Sequence, residues 1–410
     1  MKQKINQWFG GDKVIWFILI ALCICSMVLI YSTASSQLFD PTERHNLFPY
    51  FRSHGAFLLL GIAFAVVLQD FDYRRLAPWA RICYLAALVI LLCTLILGKK
   101  TSGSESASTV TRAIVVFGHQ IQTFYIVVLL TIIYAAHAIA HYGSRINETK
   151  RVYLPLLATV GLIIGLMMTQ DFSTSFILSA TFLFMLFISE LKFRTLFLTV
   201  GVMGLMVVLL IATKGFGIKK LSRFETAHGR VERYFQGADN ESVRDRVAAM
   251  SDEDLDRNRQ DILFEGAVAT GGILPTNGPG GSVYRKTSQS YSDGIFAIAV
   301  EEYGVLLSSL LIILYLLLFY RVFLMVNHVP TPFGAYLAGG LGFWIVFQAL
   351  LHISVCVGVT PNTGQTLPMV SWGNMSILIT SINFGLLLNI SKSKKRKNDK
   401  SLQTKGEEDE

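Results

Sequence analysis

What most constrains this chain is a succession of apolar runs too long for a water-soluble domain. Runs of about 17 or more residues lie near 13–34, 53–69, 82–98, 114–140, 153–169, 174–190, 194–212, 293–319, 335–357 and 372–390, and a helix needs roughly that length to cross a bilayer. In hydrocarbon each backbone N–H and C=O has to be satisfied within the segment, which selects helices. The sequence therefore predicts an all-α polytopic membrane protein with about ten transmembrane helices. Composition agrees, with 52% hydrophobic and 16% charged residues. "FGHQIQT" (117–123) interrupts the fourth run, and only "QDFST" (170–174) divides the fifth from the sixth.

Alternate short loops carry the positive charge: Arg74, Arg75 and Arg81; Arg145, Lys150 and Arg151; Lys192 and Arg194; Arg321; and the tail "SKSKKRKNDK". By the positive-inside rule these loops and both termini are cytoplasmic. The net charge of +8 then reflects topology and an anionic inner leaflet. No basic stretch interleaved with stacking aromatics marks a nucleic-acid partner. Cys23, Cys25, Cys83, Cys93 and Cys356 all fall inside apolar runs, which excludes a disulfide framework and a zinc ligand set. Residues 1–390 read as one membrane domain with its first helix retained. Residues 391–410, basic then acidic, read as a disordered cytoplasmic tail.

The large loop 213–292, between the seventh and eighth runs, faces outside. Val243, Val247, Ala248, Leu255, Ile262, Leu263 and Val268 recur at near-helical spacing before Gly271 and Gly272, so short amphipathic helices on the membrane surface are expected. An irregular Gly, Pro and Ser stretch follows and delivers Asp293 to the outer mouth of the eighth run, with Arg285 and Lys286 just upstream. A carboxylate at an interface beside cations suits general-base work near an anionic substrate such as a lipid phosphate. Glu301 and Glu302 lie deeper, and their preferred reading is buried acids bonded to neighbouring helices. Asp171 reads as a helix cap. His45 and His54 read as hydrogen-bonding residues. The last outside loop, "GVTPNTGQTLPMVSWGNMS" (358–376), has the turn chemistry of a cavity-lining segment.

Four blocks together, "SDGIFAIAVEEYG", "GPGGS", "TPNTGQTLPMVSWGNMS" and "TQDFSTSFIL", resemble in order and separation the SEDS family of shape, elongation, division and sporulation proteins. The likeness spans essentially the whole chain and leans toward the division branch, FtsW, over the elongation branch, RodA. The family patterns are D-F-I-F-A-x-x-x-E-E-x-G, G-x-G-P-G-x-S, P-x-T-G-x-x-L-P-x-x-S-x-G-x-S and P-D-x-G-T. The resemblance implies a peptidoglycan glycosyltransferase in the bacterial cytoplasmic (inner) membrane, its active site facing the periplasm or cell exterior. It implies lipid II and undecaprenyl-pyrophosphate-linked glycan as substrates. The implied partners are a class B penicillin-binding protein transpeptidase and other divisome or elongasome membrane proteins.

Carried over residue by residue, the resemblance makes Asp293 the catalytic base. It places substrate contacts at Gln122, Ser282, Thr363, Gly364 and Ser371, and structural positions at Pro361, Pro368, Asp171, Glu301 and Glu302. Ser371 has no base near it in sequence and reads as a backbone-positioning residue. Departure of undecaprenyl pyrophosphate calls for positive charge from Arg285, Lys286, Arg112, Arg44 or Arg52, or from a divalent cation; no tightly bound cofactor is expected.

The chain also departs from the family. Tyr125 and Val128 stand where an F-Q-P-S-E-x-x-K stretch has its Glu and Lys, although Gln122 is kept. Ala113 replaces a Trp after Arg112, Pro275 stands where a glycine is usual, and "SWGNMS" replaces S-Y-G-G-S. Gly294 replaces the first Phe of D-F-I-F. Losing both members of an ion pair leaves no uncompensated charge, so an active enzyme is the preferred reading. The alternatives are a catalytically weakened scaffold for a division transpeptidase and a lipid II flippase. No inverted repeat of the kind many transporters carry is visible.

Overall fold

The computed structural model describes residues 10–35, 47–97, 99–101, 110–116, 119–212, 252–275, 278, 279, 281 and 291–408. The helices are α1 (Lys13–Ser35), α2 (Leu47–Leu68), α3 (Ala80–Leu97), α4 (Thr123–Tyr142), α5 (Leu154–Met168), α6 (Phe172–Phe187), α7 (Phe193–Ala212), α8 (Asp252–Thr270), α9 (Ile295–Val326), α10 (Pro332–Cys356) and α11 (Asn374–Glu408). Among the described residues seven helical segments are long and apolar enough to cross a membrane: Lys13–Thr33, Phe51–Leu68, Thr123–Asn147, Arg151–Met168, Ile295–Val326, Pro332–Cys356 and Asn374–Ser393. Ala80–Ile96 and Phe172–Phe187 are shorter apolar helices. The protein is a polytopic membrane protein, and each of the ten apolar runs has a helix in or across it.

Local chemistry sets many helix ends. Thr331 caps α10, accepting from the Gly334 N–H at 3.3 Å, with Pro332 in the first turn where its missing donor costs nothing. α10 packs against α4, α6 and α9. Its glycines permit the approach: a Cβ on Gly340 would lie 2.8 Å from Met185 Sδ, and one on Gly342 2.6 Å from Val322 Cγ2. Small residues at such crossings are how membrane helices pack without a hydrophobic driving force between them.

Four expectations change. The fourth run is only partly helical. Residues 110–116, "VTRAIVV", form a strand in a small antiparallel sheet of β1 (Lys99–Thr101), β2 (Val110–Val116) and β3 (His119–Gln122). β2 and β3 pair from Ala113↔Gln122 to Val116↔His119. Val, Thr and Ile favour a pleated surface, so a small sheet is set into an otherwise helical membrane protein. The loop helix α8 does not simply lie on the membrane surface, because Phe264 and Ala267 are buried where it packs on α9 and α10. Residues 213–251 are outside the described residues. The helical backbone of α11 runs to Glu408, through the segment expected to be a disordered tail; Lys, Arg, Glu and Gln are good helix formers, and a nucleated helix propagates readily.

The fourth change bears most on the site. α9 is broken at Gly304, whose φ of 77° and ψ of 166° are non-helical. The backbone groups freed there are taken up by the chain leaving α8. Val305 N–H donates to Gly272 O at 2.9 Å, Leu306 N–H to Ile273 O at 3.2 Å, and Gly278 N–H to Glu302 O at 3.2 Å. A broken helix at membrane depth needs such partners. Residues 271–275 and Gly278 thus serve as a strap against α9 around its break.

At the other end of the bundle, Arg321 on α9 pairs with Asp12 before α1, and Asp12 N–H donates to Ser391 Oγ at 2.9 Å. Lys392 pairs with Asp70. Asn389 accepts from Tyr73 N–H at 3.1 Å and donates to Gln69 O at 2.8 Å. The two ends of the described chain and the α2–α3 turn are therefore tied at one face, the face to which the loop charges assign the cytoplasm.

Candidate functional site

Asp293 stands immediately before α9, half-buried, with Gly294 at the N-cap position. Ser292 Oγ–H donates to Asp293 Oδ1 at 2.8 Å. The backbone just before it is held by the loop between α10 and α11. Trp372 N–H donates to Tyr291 O at 3.1 Å, and Ser371 Oγ–H to Ser292 O at 2.6 Å. Ser371 Oγ in turn accepts from Leu367 N–H at 2.8 Å. Ser371 thus spends its proton and a lone pair on backbone, which makes it a splint between the two blocks.

The turn that presents Ser371 is itself unusual. Met369 has φ +65°, the one non-glycine at positive φ among the described residues, a conformation that costs about 1–3 kcal/mol and persists only where surroundings over-determine it. Those surroundings are polar. Ser26 on α1 donates to Val370 O at 3.0 Å and lies 2.7 Å from His54 Nε2 on α2. Because a carbonyl only accepts, His54 carries its proton on Nε2 and donates to Ser26. The buried His54 ring stacks on Trp372, centroids 5.5 Å apart and planes 17° apart.

A second chain of contacts reaches Asp293 from α6. Asp171 caps that helix, accepting from Thr174 N–H at 3.1 Å and Thr174 Oγ–H at 2.8 Å. Gln365 Nε2 donates to Thr174 Oγ1 at 3.1 Å. His352 on α10 meets Gln365 O through Nδ1 at 2.7 Å and Cys356 Sγ through Nε2 at 3.6 Å. The Cys356 thiol is also 3.7 Å from Asp293 O. Gln348, His352 and Cys356 recur every four residues in α10, so the polar stripe in an apolar helix was the signal by which these residues could have been found.

Tyr125 and Val128, where the resemblance expects an ion pair, have a neutral arrangement. Tyr125 OH lies 2.9 Å from Thr366 Oγ1. Thr366 also meets Ser376 Oγ at 3.1 Å, and its carbonyl accepts from Gln348 Nε2 at 3.0 Å. Val128 is buried and apolar. The loop between α10 and α11 is therefore still held to α4, by a hydroxyl pair in place of charge.

Glu301 and Glu302 are fully buried, and Glu302 Oε2 accepts from Ser32 of α1. Pro368 O accepts from Tyr315 OH at 2.5 Å. Pro361 and Thr363 are half-buried. Gly364 takes φ +61°, and its N–H donates to Asn362 Oδ1 at 2.9 Å. Arg52 is exposed on α2, and Gln122 is exposed at the start of α4 without a side-chain cap. The side chain of Arg112 on β2, and Arg44, His45, Ser282, Arg285 and Lys286 altogether, lie outside the described residues. Among the described residues no group of three or more His, Cys, Asp or Glu is placed to hold a metal ion.

Of the sequence-derived positions, the fold brings together Asp293, Ser371, the 363–368 segment and, through Thr174 and Gln365, Asp171. It does not bring Arg52 or Gln122 into a described contact with Asp293. What the arrangement offers chemically is one carboxylate at a helix head, its peptide fixed from two sides, beside hydroxyls and amides.

A family model described as a cell cycle protein, FTSW_RODA_SPOVE, matches residues 12–396. The probable peptidoglycan glycosyltransferase FtsW of Coxiella burnetii is 24% identical over 401 residues, covering 95% of this chain and 99% of that one. That of Thioalkalivibrio sulfidiphilus is 27% identical over 350 residues, covering 83% and 80%. Among solved structures, a chain from a study of the structural coordination of polymerization and crosslinking by a peptidoglycan synthase complex superimposes with a TM-score of 0.72 at 21% identity, covering 94% of this chain and 99% of that one. The rod shape determining protein RodA of Thermus thermophilus gives 0.62 at 21% identity, covering 94% and 98%.

Proposed function

The chain belongs to the FtsW, RodA and SpoVE family of cell cycle proteins, and from that premise we propose that it is a peptidoglycan glycosyltransferase polymerising lipid II at the outer face of the cytoplasmic membrane, with Asp293 as general base. Asp293 takes the proton of the acceptor sugar's 4-hydroxyl as that oxygen bonds to the anomeric carbon of the donor chain. The bond from that carbon to undecaprenyl pyrophosphate breaks, and the pyrophosphate leaves with the electron pair. The observation that carries the reading is the splinting, by Ser371 and Trp372, of the backbone that leads into Asp293, since a base works only when held in reach of its proton.

The names of the FtsW relatives support a role in cell division, and the synthase complex among the structural neighbours supports a transpeptidase partner, of the class B penicillin-binding type. The full topology is proposed as ten spans with both termini cytoplasmic and the large loop outside, in line with the loop charges and the tied ends. Those ties also favour an enzyme over a flippase, because alternating access would have to open the face they close.

The test is polymerisation of purified lipid II by the protein alone and with its co-purified transpeptidase. Wild type is expected to give polymer. Asp293→Ala and Asp293→Asn, equally folded and partner-bound, are expected to fall by about 10²–10⁴-fold, the usual share of a general base. Activity that survives both substitutions would remove Asp293 from the chemistry. A second reading, a scaffold kept for its partners, rests on the neutral Tyr125–Thr366 tie in place of an ion pair; it predicts no polymer under either condition.

A further inference from the structure

We propose that Phe264, on the loop helix α8, is the residue that positions Asp293, filling from outside the membrane helix the space that a side chain at 294 would take; this rests on the reading of Asp293 as the base. The geometry is steric. A Cβ placed on Gly294 would lie 2.0 Å from Phe264 Cε1, 2.5 Å from Cζ and 2.7 Å from Cδ1, so the ring occupies that volume. Phe264 is only 3% exposed.

The neighbouring residues hold the ring in register. A Cβ on Gly271, just past α8, would lie 2.6 Å from Val300 O, and one on Gly358, just past α10, 3.0 Å from Glu265 Oε1. Beyond Gly271 the strap bonds to the break in α9 through Gly272, Ile273 and Gly278. Residues 264–275 and Gly278 therefore meet the first half of α9 at its head, at Val300 and at its broken end. Cys356 of α10 lies 3.7 Å from Asp293 O. The Asp293–Gly294 peptide is thus approached by both an aromatic ring and a thiol.

That clamp answers a specific weakness. Glycine is the most permissive backbone residue, and here it directly follows the base. With no side chain of its own to pack, Gly294 leaves the direction of Asp293 to whatever bears on the peptide, and the ring does so. The family pattern carries an aromatic side chain at this position; in this chain the ring comes from α8.

Steady-state polymerisation by the full-length protein with its transpeptidase partner tests the assignment, with KM for lipid II and kcat per folded molecule measured separately. A loosened base misplaced by about 1 Å costs on the order of 10²-fold, so Phe264→Ala is expected to lower kcat about 10- to 100-fold with KM within about two-fold. Phe264→Leu, which keeps apolar volume, is expected to fold normally and show an intermediate kcat. Gly294→Phe alone is expected to be impaired by collision with the ring. Phe264→Ala/Gly294→Phe, which returns one ring from the other side, is expected to recover kcat.

The proposal is overturned if Phe264→Leu and Phe264→Ala keep wild-type kcat per folded molecule, as a purely structural role would allow, or if the double variant is no better than the worse single. Should Phe264→Ala fail to fold, Phe264→Leu decides. Asp293→Asn run in parallel separates the two claims: an active Asp293→Asn defeats the base assignment, whereas a dead one beside fully active Phe264 variants defeats the positioning alone.

Discussion

Gly304→Ala perturbs the break in α9 and the strap packed against it. At φ 77° and ψ 166° the native backbone lies in a region that is essentially glycine's, and holding another residue there costs about 1–3 kcal/mol. The new Cβ would also lie 2.7 Å from Leu274 C and 2.9 Å from Ile273 O, so the strap backbone has to move. The strap contributes the bonds to Val305, Leu306 and Glu302, each worth about 0.5–1.5 kcal/mol net. Losing two of them with the strain gives about 2–6 kcal/mol, at least roughly a 30-fold shift in the folded fraction. If alanine instead heals the helix, the N–H groups of Val305 and Leu306 return to intrahelical partners and the strap is released. Thermal unfolding in detergent is expected to show the loss of stability. Limited proteolysis at native temperature is expected to cut the strap faster than in wild type, and polymerisation is expected to fall because Asp293 rides on the same half-helix. A variant that melts with wild type and resists cleavage equally would refute the account of the break.

Four further outcomes are expected. Val128→Lys alone places a cation at an apolar site inside the membrane, costing about 2.5–3.5 kcal/mol, and Tyr125→Glu alone removes the tie to Thr366; the double variant restores an i, i+3 pair, and a double-mutant cycle of folded yield should show favourable coupling. Polymerisation should decline on the acid side with a slope of one proton as the Asp293 carboxylate is neutralised, and a pH–rate profile that stays flat down to protein unfolding would count against it. Ser32→Ala takes a hydrogen bond from the fully buried Glu302 and should cost about 1–3 kcal/mol of stability, read as lower membrane yield with unchanged rate per folded molecule. Deletion of residues 393–410, a tail proposed to be cytoplasmic, should leave polymerisation unchanged.

The neutral replacement on α4 has a physical logic that the residue types alone do not reveal. An ion pair in a membrane interior costs desolvation that only good geometry returns. Tyr125 and Thr366 keep the attachment of the last loop to α4 without that cost. The structure thus accounts for the departure without requiring a loss of function, and Gly294 with Phe264 tells the same story at the head of α9: a side chain lost at one position is supplied from a neighbour.

Segment 114–140 marks how far local pattern reaches. Its apolar content was legible, but it opens on the end of the β-branched "VTRAIVV" (110–116), which has no strong helix period, and a sheet takes it. The break at Gly304 was hidden for a related reason. A glycine in an apolar run is ordinary, and only the strap arriving from residues 272–278 shows that the helix stops there.

The sequence by itself determined the membrane class, the number and placing of the apolar runs and the charged face, because burial in lipid acts on each segment separately and leaves a periodic, local trace. Tertiary structure alone decided what holds Asp293. Ser371 meets Ser292 across 79 positions and Gln365 meets Thr174 across 191, while Phe264 reaches Gly294 from a loop helix whose own pattern reads as surface. Such contacts follow from how the helices cross, and a hydrogen bond between distant residues leaves no spacing rule in the chain.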